Sequence, residues 1–260
     1  MNIKKRNSLK DKFFNKIRDE INYYDNYEKN GESFFISQLF EYYNGTDIVL
    51  FYVGANVGTY SQGLVSAAKS KNKNFMLHIF EPQKSCFAEL QNKFSNYPNI
   101  KINNFGLSDS NGELDIYFDK DKSSLASLYK RNLDNINIYL DKAEKILLKR
   151  IDDYIEANQI HKINFIKIDV EGHELKVLNG LGKFLNDDFI DFIQFEFGGT
   201  NIDSHTNLLD FYVLLEGRGF KICKIMPKFL EIRAYNHRFN NFEFQNYVAI
   251  SNKIFDNLIN

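Results

Sequence analysis

From Asp47 onward the chain alternates short, continuously apolar runs with amphipathic segments, and this alternation restricts its fold more than any other feature. Ile48–Val53, Phe75–Phe80 and residues 100–105, 163–170 and 190–195 are runs of strand length, rich in β-branched and aromatic side chains. The segments between them carry apolar residues at helical spacing, such as Phe87, Leu90 and Phe94, or Leu175, Leu178, Leu181 and Leu185. A strand apolar on both faces has to be covered on both, which predicts an α/β architecture: a parallel sheet between two helical layers. The last runs, residues 220–225 and 242–250, have no helix between them and predict an antiparallel pair at one sheet edge. Residues 108–113 read as a turn leading into a hairpin strand at 114–118. Residues 121–148 are polar and weakly patterned, which predicts a long insertion.

Ahead of Asp47, residues 9–43 read as helical. Phe13, Ile17, Ile21 and Tyr24 share one face, and Phe35, Leu39 and Tyr43 repeat the spacing after Asn30-Gly31. Residues 1–45 are therefore expected to form a helical extension packed on a main domain of residues 46–260, a homodimer contact being the alternative. With 33 basic and 34 acidic residues the net charge is −1, so no broad basic footprint marks a nucleic-acid partner. No run approaches the roughly 18 apolar residues of a membrane span, and no apolar leader follows the basic start. Two cysteines, Cys86 and Cys223, are too few for a disulfide framework, and a reduced, cytoplasmic setting is expected.

In an open parallel sheet ligands bind beyond the carboxyl ends of the strands, so the loops after Val53, Phe80, Phe105, Ile168 and Phe195 are where chemistry is sought. The first holds Gly54-Ala-Asn56-Val-Gly58-Thr-Tyr60-Ser61. Its glycines permit a tight turn and close backbone approach, and the helix start that follows favours an anionic group. The second ends in Phe80-Glu81-Pro82, an acid placed to accept two ribose hydroxyls, somewhat beyond the roughly 20-residue spacing of dinucleotide folds. Gly106-Leu-Ser108-Asp109 is either a contact to a base edge or an ordinary turn. The fourth segment is the most specific: it delivers Asp169, Glu171, His173 and Glu174 to one sheet edge. Alternation sets Lys167 and Asp169 on the same face of this strand, and a buried Lys167 requires a partner.

Taken in order, Val53-Gly-Ala-Asn-Val-Gly58, Phe80-Glu-Pro82, Leu107-Ser-Asp109, residues 150–180 around Lys167-Ile-Asp-Val-Glu171-Gly-His-Glu174, and Gln245-Asn-Tyr-Val-Ala-Ile250 resemble the FkbM family of S-adenosylmethionine-dependent methyltransferases. The resemblance implies a Rossmann-like class I methyltransferase fold, with a mostly parallel seven-stranded sheet and an antiparallel C-terminal edge hairpin. It implies S-adenosylmethionine as cofactor, with Gly54, Asn56, Gly58, Tyr60 and Ser61 around its methionine end. Glu81 would hold the ribose, Ser108 and Asp109 the adenine region, and Asp169 would lie near the methyl group. As acceptor base His173 comes first, because imidazole titrates near neutrality, and Asp169 second. The implied reaction is O-methylation of a sugar hydroxyl, in a surface glycan such as a capsular polysaccharide or in its nucleotide-sugar precursor. Residues 121–148, and residues 227–241 with His237 and Arg238, are candidates for acceptor recognition. A divalent cation among Asp169, Glu171, Glu174 and Glu196 is a less favoured option. One departure stands out: Tyr52 occupies a position that is usually Asp in the family. Two other readings share these motifs, a nicotinamide-dependent oxidoreductase, against which Asn56 stands in the middle-glycine position, and a non-catalytic binding subunit, suggested by Tyr52.

Overall fold

The computed structural model describes residues 26–43 and 47–259. Among these the chain opens with helix α1 (Glu32–Tyr42) and continues through β1 (Ile48–Val53), α2 (Thr59–Ser70), β2 (Phe75–Phe80), α3 (Lys84–Phe94) and β3 (Ile100–Asn103). Three strands follow, β4 (Gly106–Ser108), β5 (Gly112–Phe118) and β6 (Lys142–Arg150). Alternation resumes with α4 (Ile151–Ala157), β7 (Ile163–Ile168), α5 (Glu174–Gly180) and β8 (Ile190–Phe197). The chain then runs through α6 (Thr200–Asp203), α7 (Leu208–Glu216), β9 (Phe220–Met226), β10 (Phe229–Ile232), β11 (Gln245–Ser251) and α8 (Asn252–Ile259).

The expected Rossmann-like sheet is present, with the order β10-β9-β11-β8-β7-β1-β2-β3. Strands β3, β2, β1, β7 and β8 are parallel throughout. The sheet has eight strands where seven were expected. The expected antiparallel pair exists, but β11 lies inside the sheet, antiparallel to both β8 and β9. Its burial explains the position: every residue of β11 is buried, as an interior strand requires, whereas β10 is partly exposed and closes the edge.

The middle of the chain differs more. Residues 142–150 form a full strand that pairs with all of β5 and also with β4, making a separate three-stranded sheet. The partner of the strand at 114–118 thus arrives from the far end of the insertion instead of across a tight hairpin. The long strands of this small sheet, β5 and β6, bury only Ile116, Ile146 and Leu148, so their sequence lacks the continuous apolar runs of the main sheet.

The two faces of the main sheet carry two cores. One gathers α4, α5 and α7 through Ile151, Leu178 and Phe211; the other gathers α1, α2 and α8 through Phe40, Leu64 and Phe255. On the second face Phe35 meets Phe165 and Phe192 edge-on, at 5.8 and 6.2 Å, and Phe35, Ile36, Leu39 and Phe40 are fully buried. At about 1.5–3 kcal/mol per buried large apolar side chain, these four anchor α1 to the sheet. Gly31 opens the helix with φ of 100°, and a Cβ there would lie 2.3 Å from the Met226 carbonyl oxygen. Only glycine fits that approach. The expected face of Phe13, Ile17, Ile21 and Tyr24 lies outside the described residues. Both cysteines are free and buried, and no helix among the described residues is long and apolar enough to cross a membrane.

Candidate functional site

The order in which strands are added reverses about β1, with β2 on one side and β7 on the other, so the loops leaving these parallel strands part and open a crevice at their carboxyl ends. A cavity of about 620 Å³ occupies it.

On the β2 side, Gly54 turns at φ of 87° and Asn56 at 48°. A Cβ on Gly54 would sit 1.8 Å from the Asp169 carbonyl oxygen, so the loop backbone and the end of β7 touch directly. Glu81 fastens this loop: its Oε2 accepts from the Asn56 amide at 2.7 Å and its Oε1 from the Gln83 amide at 2.8 Å. Only 4% of Glu81 is exposed, and burial pushes its carboxyl up to about 7 against the pull of those two amides.

On the β7 side, register places side chains in rows. Tyr52, Lys167 and Gln194 are lateral neighbours across β1, β7 and β8; Asp169 and Glu196 stand two residues further toward the cavity on the same face. Lys167, 3% exposed, donates to Glu32 Oε1 at 2.9 Å and to Glu196 Oε1 at 3.2 Å, and its Nζ lies 3.3 Å from Asp169 Oδ2. It also sits 4.5 Å above the Tyr60 ring. Burial opposes its charge, but the three carboxylates outweigh burial and hold the ammonium well above its ordinary range. Burial and the neighbouring Asp169 push Glu196 the same way, toward holding its proton.

Beyond Asp169 the backbone passes through two left-handed residues, Glu171 and Gly172. Glu174 Oε1 accepts from the amides of Val170 and Gly172, both at 3.1 Å, and burial raises this carboxyl to about 7. His173 is held at both ring nitrogens, Nε2 at 2.9 Å from Ser108 Oγ and Nδ1 at 3.2 Å from the Tyr129 hydroxyl. Burial lowers it to about 4, so the ring is neutral at physiological pH.

Of the residues singled out by sequence, Gly54, Asn56, Tyr60, Glu81, Asp169 and His173 line the cavity. Four others do not. Gly58 faces Leu90 and Phe94, and Ser61 is buried in its helix against the core. Ser108 gives its hydroxyl to His173, and Asp109 pairs with Lys176 at 2.9 Å. The Gly106–Ser108 strand reaches the cavity through Gly106 and Leu107, while its far side packs closely on Gly180. His237 and Arg238 are exposed and absent from the walls, whereas the insertion supplies Ser123–Leu128 residues and Arg131, which meets Glu171 at 3.0 Å. Among the described residues no group of three or more His, Cys, Asp or Glu is arranged for a metal ion. Asp169 and Glu196 turn to Lys167, Glu171 to Arg131 and Glu174 to backbone.

Sequence reasoning missed Tyr27, Asn30 and Glu32, which form the wall facing β7. The one signal available was the charge of Lys167, which called for a partner without naming it.

Against known proteins, the family described as the Methyltransferase FkbM domain matches residues 53–238. The hexuronic acid methyltransferase AglP of Haloferax volcanii is 30% identical over 138 residues, covering 52% of this chain and 50% of its own. Methyltransferase 1 of Beauveria bassiana is 25% identical over 189 residues, covering 67% of this chain and 72% of its own. Among solved structures, the methyltransferase FkbM of Methylobacillus flagellatus KT aligns at 16% identity with a TM-score of 0.49, over 82% of this chain and 47% of that one. The chain thus spans about half the length of the Haloferax relative and of the Methylobacillus chain.

Proposed function

This chain belongs to the FkbM methyltransferase family, and on that premise we propose that it moves a methyl group from S-adenosylmethionine to a sugar hydroxyl, in a surface glycan or its nucleotide-sugar precursor. The observation that carries the reading is the convergence of the Gly54–Asn56 loop, Glu81 and Asp169 on one cavity at the point where the sheet reverses.

The residues fit the cofactor. A volume of about 620 Å³ lies within the roughly 300–1,000 Å³ of small-molecule sites. The Glu81 oxygens each accept one amide, which leaves each a lone pair for a ribose diol. Asp169, with 24% of its side chain exposed, shares Lys167 with Glu32 and Glu196, so its negative charge is only partly offset, which suits an ammonium group. Tyr52 lines the cavity in the row beside Lys167, and burial keeps its hydroxyl neutral, so it brings no charge to hold that group. The adenine region is assigned to Pro82, Gly106 and Leu107 rather than to Ser108 and Asp109, which lie off the cavity.

S-adenosylmethionine supplies a methyl group already made electrophilic by its sulfonium. The chain itself has to hold the acceptor in line and to take its proton. Alignment of this kind is worth roughly 7–11 kcal/mol, and a positioned base about 10²–10⁴-fold, so alignment dominates. Asp169 is the better-presented proton acceptor, since His173 has both nitrogens engaged and would have to release Ser108 or Tyr129 first. We assign His173 the role of holding the turn and the Ser108 wall, with direct proton transfer as its second role. The cavity wall made by Ser123, Leu125, Leu128 and Arg131 is the proposed acceptor side. The hexuronic acid in the name of the Haloferax relative supports a sugar acceptor.

Incubation with S-adenosylmethionine and a panel of nucleotide sugars should yield a sugar heavier by one methyl group by mass spectrometry. Folded protein that binds neither S-adenosylmethionine nor S-adenosylhomocysteine in calorimetry would overturn the reading.

A further inference from the structure

Residues 26–43 lie outside the stretch that matches the family, yet they close the cavity with Tyr27, Asn30 and Glu32. A helix that served only to cover the sheet would present an apolar side chain at position 32, as it does at Phe35, Ile36 and Leu39. Instead Glu32 is buried with three side-chain partners. Its Oε1 accepts from Lys167 at 2.9 Å and from Gln194 at 2.6 Å, and its Oε2 accepts from Asn30 at 2.7 Å. Gln194 is itself fixed, accepting from the Tyr60 hydroxyl at 2.7 Å. Lys167 is therefore held between Glu32 on one side and Asp169 and Glu196 on the other, and all four line the cavity. Its charge is shared among the three carboxyl groups, with the shortest contact, 2.9 Å, to Glu32.

We propose that Glu32 is a positioning residue of the site: by drawing Lys167 toward itself at the shortest of its three contacts, it keeps that ammonium from settling wholly on Asp169 and Glu196, which can then face the cationic end of the bound cofactor. This rests on the cofactor reading above and adds to it a residue that lies outside the family's matched region. The physical argument is charge balance in a buried space. One ammonium shared among three carboxyl groups, of which Glu196 is pushed toward holding its proton, leaves the negative charge of Glu32 and Asp169 only partly offset, and such charge is stable in a low-dielectric site only when a further cation or a proton joins it. Removing Glu32 lets Lys167, already 3.3 Å from Asp169 and 3.2 Å from Glu196, turn wholly to these two and occupy the place the ligand's cation would take. The cation is either the ammonium or the sulfonium, and the ligands tested separate the two.

The test is calorimetric binding of S-adenosylmethionine, S-adenosylhomocysteine and adenosine to the full chain and to Glu32→Gln, with thermal melting to establish folding. For Glu32→Gln the expected result is an affinity about tenfold weaker for the charged ligands, with adenosine unchanged within about twofold. Loss shared by S-adenosylmethionine and S-adenosylhomocysteine assigns the ammonium, and loss confined to S-adenosylmethionine assigns the sulfonium. The double variant Glu32→Gln/Lys167→Met is expected to regain affinity to within about threefold of the parent, because no lysine remains to fill the place. Equal binding of all three ligands by parent and Glu32→Gln, or a double variant as weak as the single one, would overturn the role of Glu32 alone. A parent chain that binds neither charged ligand would overturn the cofactor reading and this inference with it.

Discussion

Glu81 and Glu32 are two glutamates buried at opposite walls of one cavity, 4% and 6% exposed, and they have opposite electrostatics. Glu81 is bonded to two backbone amides, and burial wins: its carboxyl is pushed up to about 7. Glu32 is buried as deeply, but Lys167, Asn30 and Gln194 outweigh burial and hold it below the ordinary carboxylate range. Burial alone therefore does not decide the charge of a carboxyl group. For Glu32 a full cation joined by two further donors outweighs burial, whereas two amide dipoles fall short for Glu81 and the same cation, beside Asp169, falls short for Glu196. The two residues divide their roles accordingly. Glu32 is compensated inside the protein and serves its architecture, whereas Glu81 has no cation among its partners and keeps capacity for hydroxyl groups of a ligand.

Breaking this contrast at Lys167 should cost the most. Replacement by Met should leave Glu32 as poorly compensated as Glu81, with Asp169 and Glu196 beside it. The expected loss is about 3–5 kcal/mol of stability, the usual result of removing one partner from a buried ion cluster. Urea unfolding monitored by circular dichroism would measure it, and an unchanged midpoint would show that the cluster is not held by charge.

A smaller effect distinguishes the two glutamates by pH. Folded Glu81 keeps its proton to about pH 7, while an ordinary glutamate releases it near 4.5, so between these values the folded state binds more protons than the unfolded one. Stability contributed through Glu81 therefore falls as pH rises across that window. Glu81→Gln should flatten the fall by on the order of 1–3 kcal/mol, with Glu174, shifted in the same sense, supplying the remaining slope. Glu32 has the opposite sign: its contribution is present above pH 4.5 and is lost as acid protonates it. Denaturation curves at a series of pH values in parent and Glu81→Gln would read both, and parallel curves would refute the assignment.

Least should change at Asp109, which sequence placed beside Glu81 in the cofactor site and the fold places outside the cavity. Asp109→Asn loses a half-exposed ion pair with Lys176, worth about 0–1 kcal/mol. Cofactor affinity should stay within experimental error of the parent by calorimetry. A clear loss would return Asp109 to the site.

Legibility of the site tracks the range of the interactions involved. Gly54, Asn56 and Glu81 were readable because each belongs to a short segment whose chemistry is local: a glycine turn after a strand, an acid at a strand end. Asp169 and His173 came with them as neighbours on one strand and its turn. That Ser108 and Asp109 lie off the cavity was not readable, because a turn signature says which residues leave a strand and not which way they face; here they face α5. The strand at 142–150 was missed because a two-faced edge sheet needs no continuous apolar run.

Amino-acid order alone sufficed for the parallel sheet, the edge where the cavity lies, and the need of Lys167 for a partner, since periodicity and burial cost act residue by residue. Which carboxylates answer that need became visible in the folded chain, where one of them, Glu32, comes from a helix far away in the sequence. The same holds for His173, tied at both nitrogens. Such contacts join segments with no local pattern in common, so they exist only once the apolar faces of α1 and the sheet have come together and fixed the distances between them.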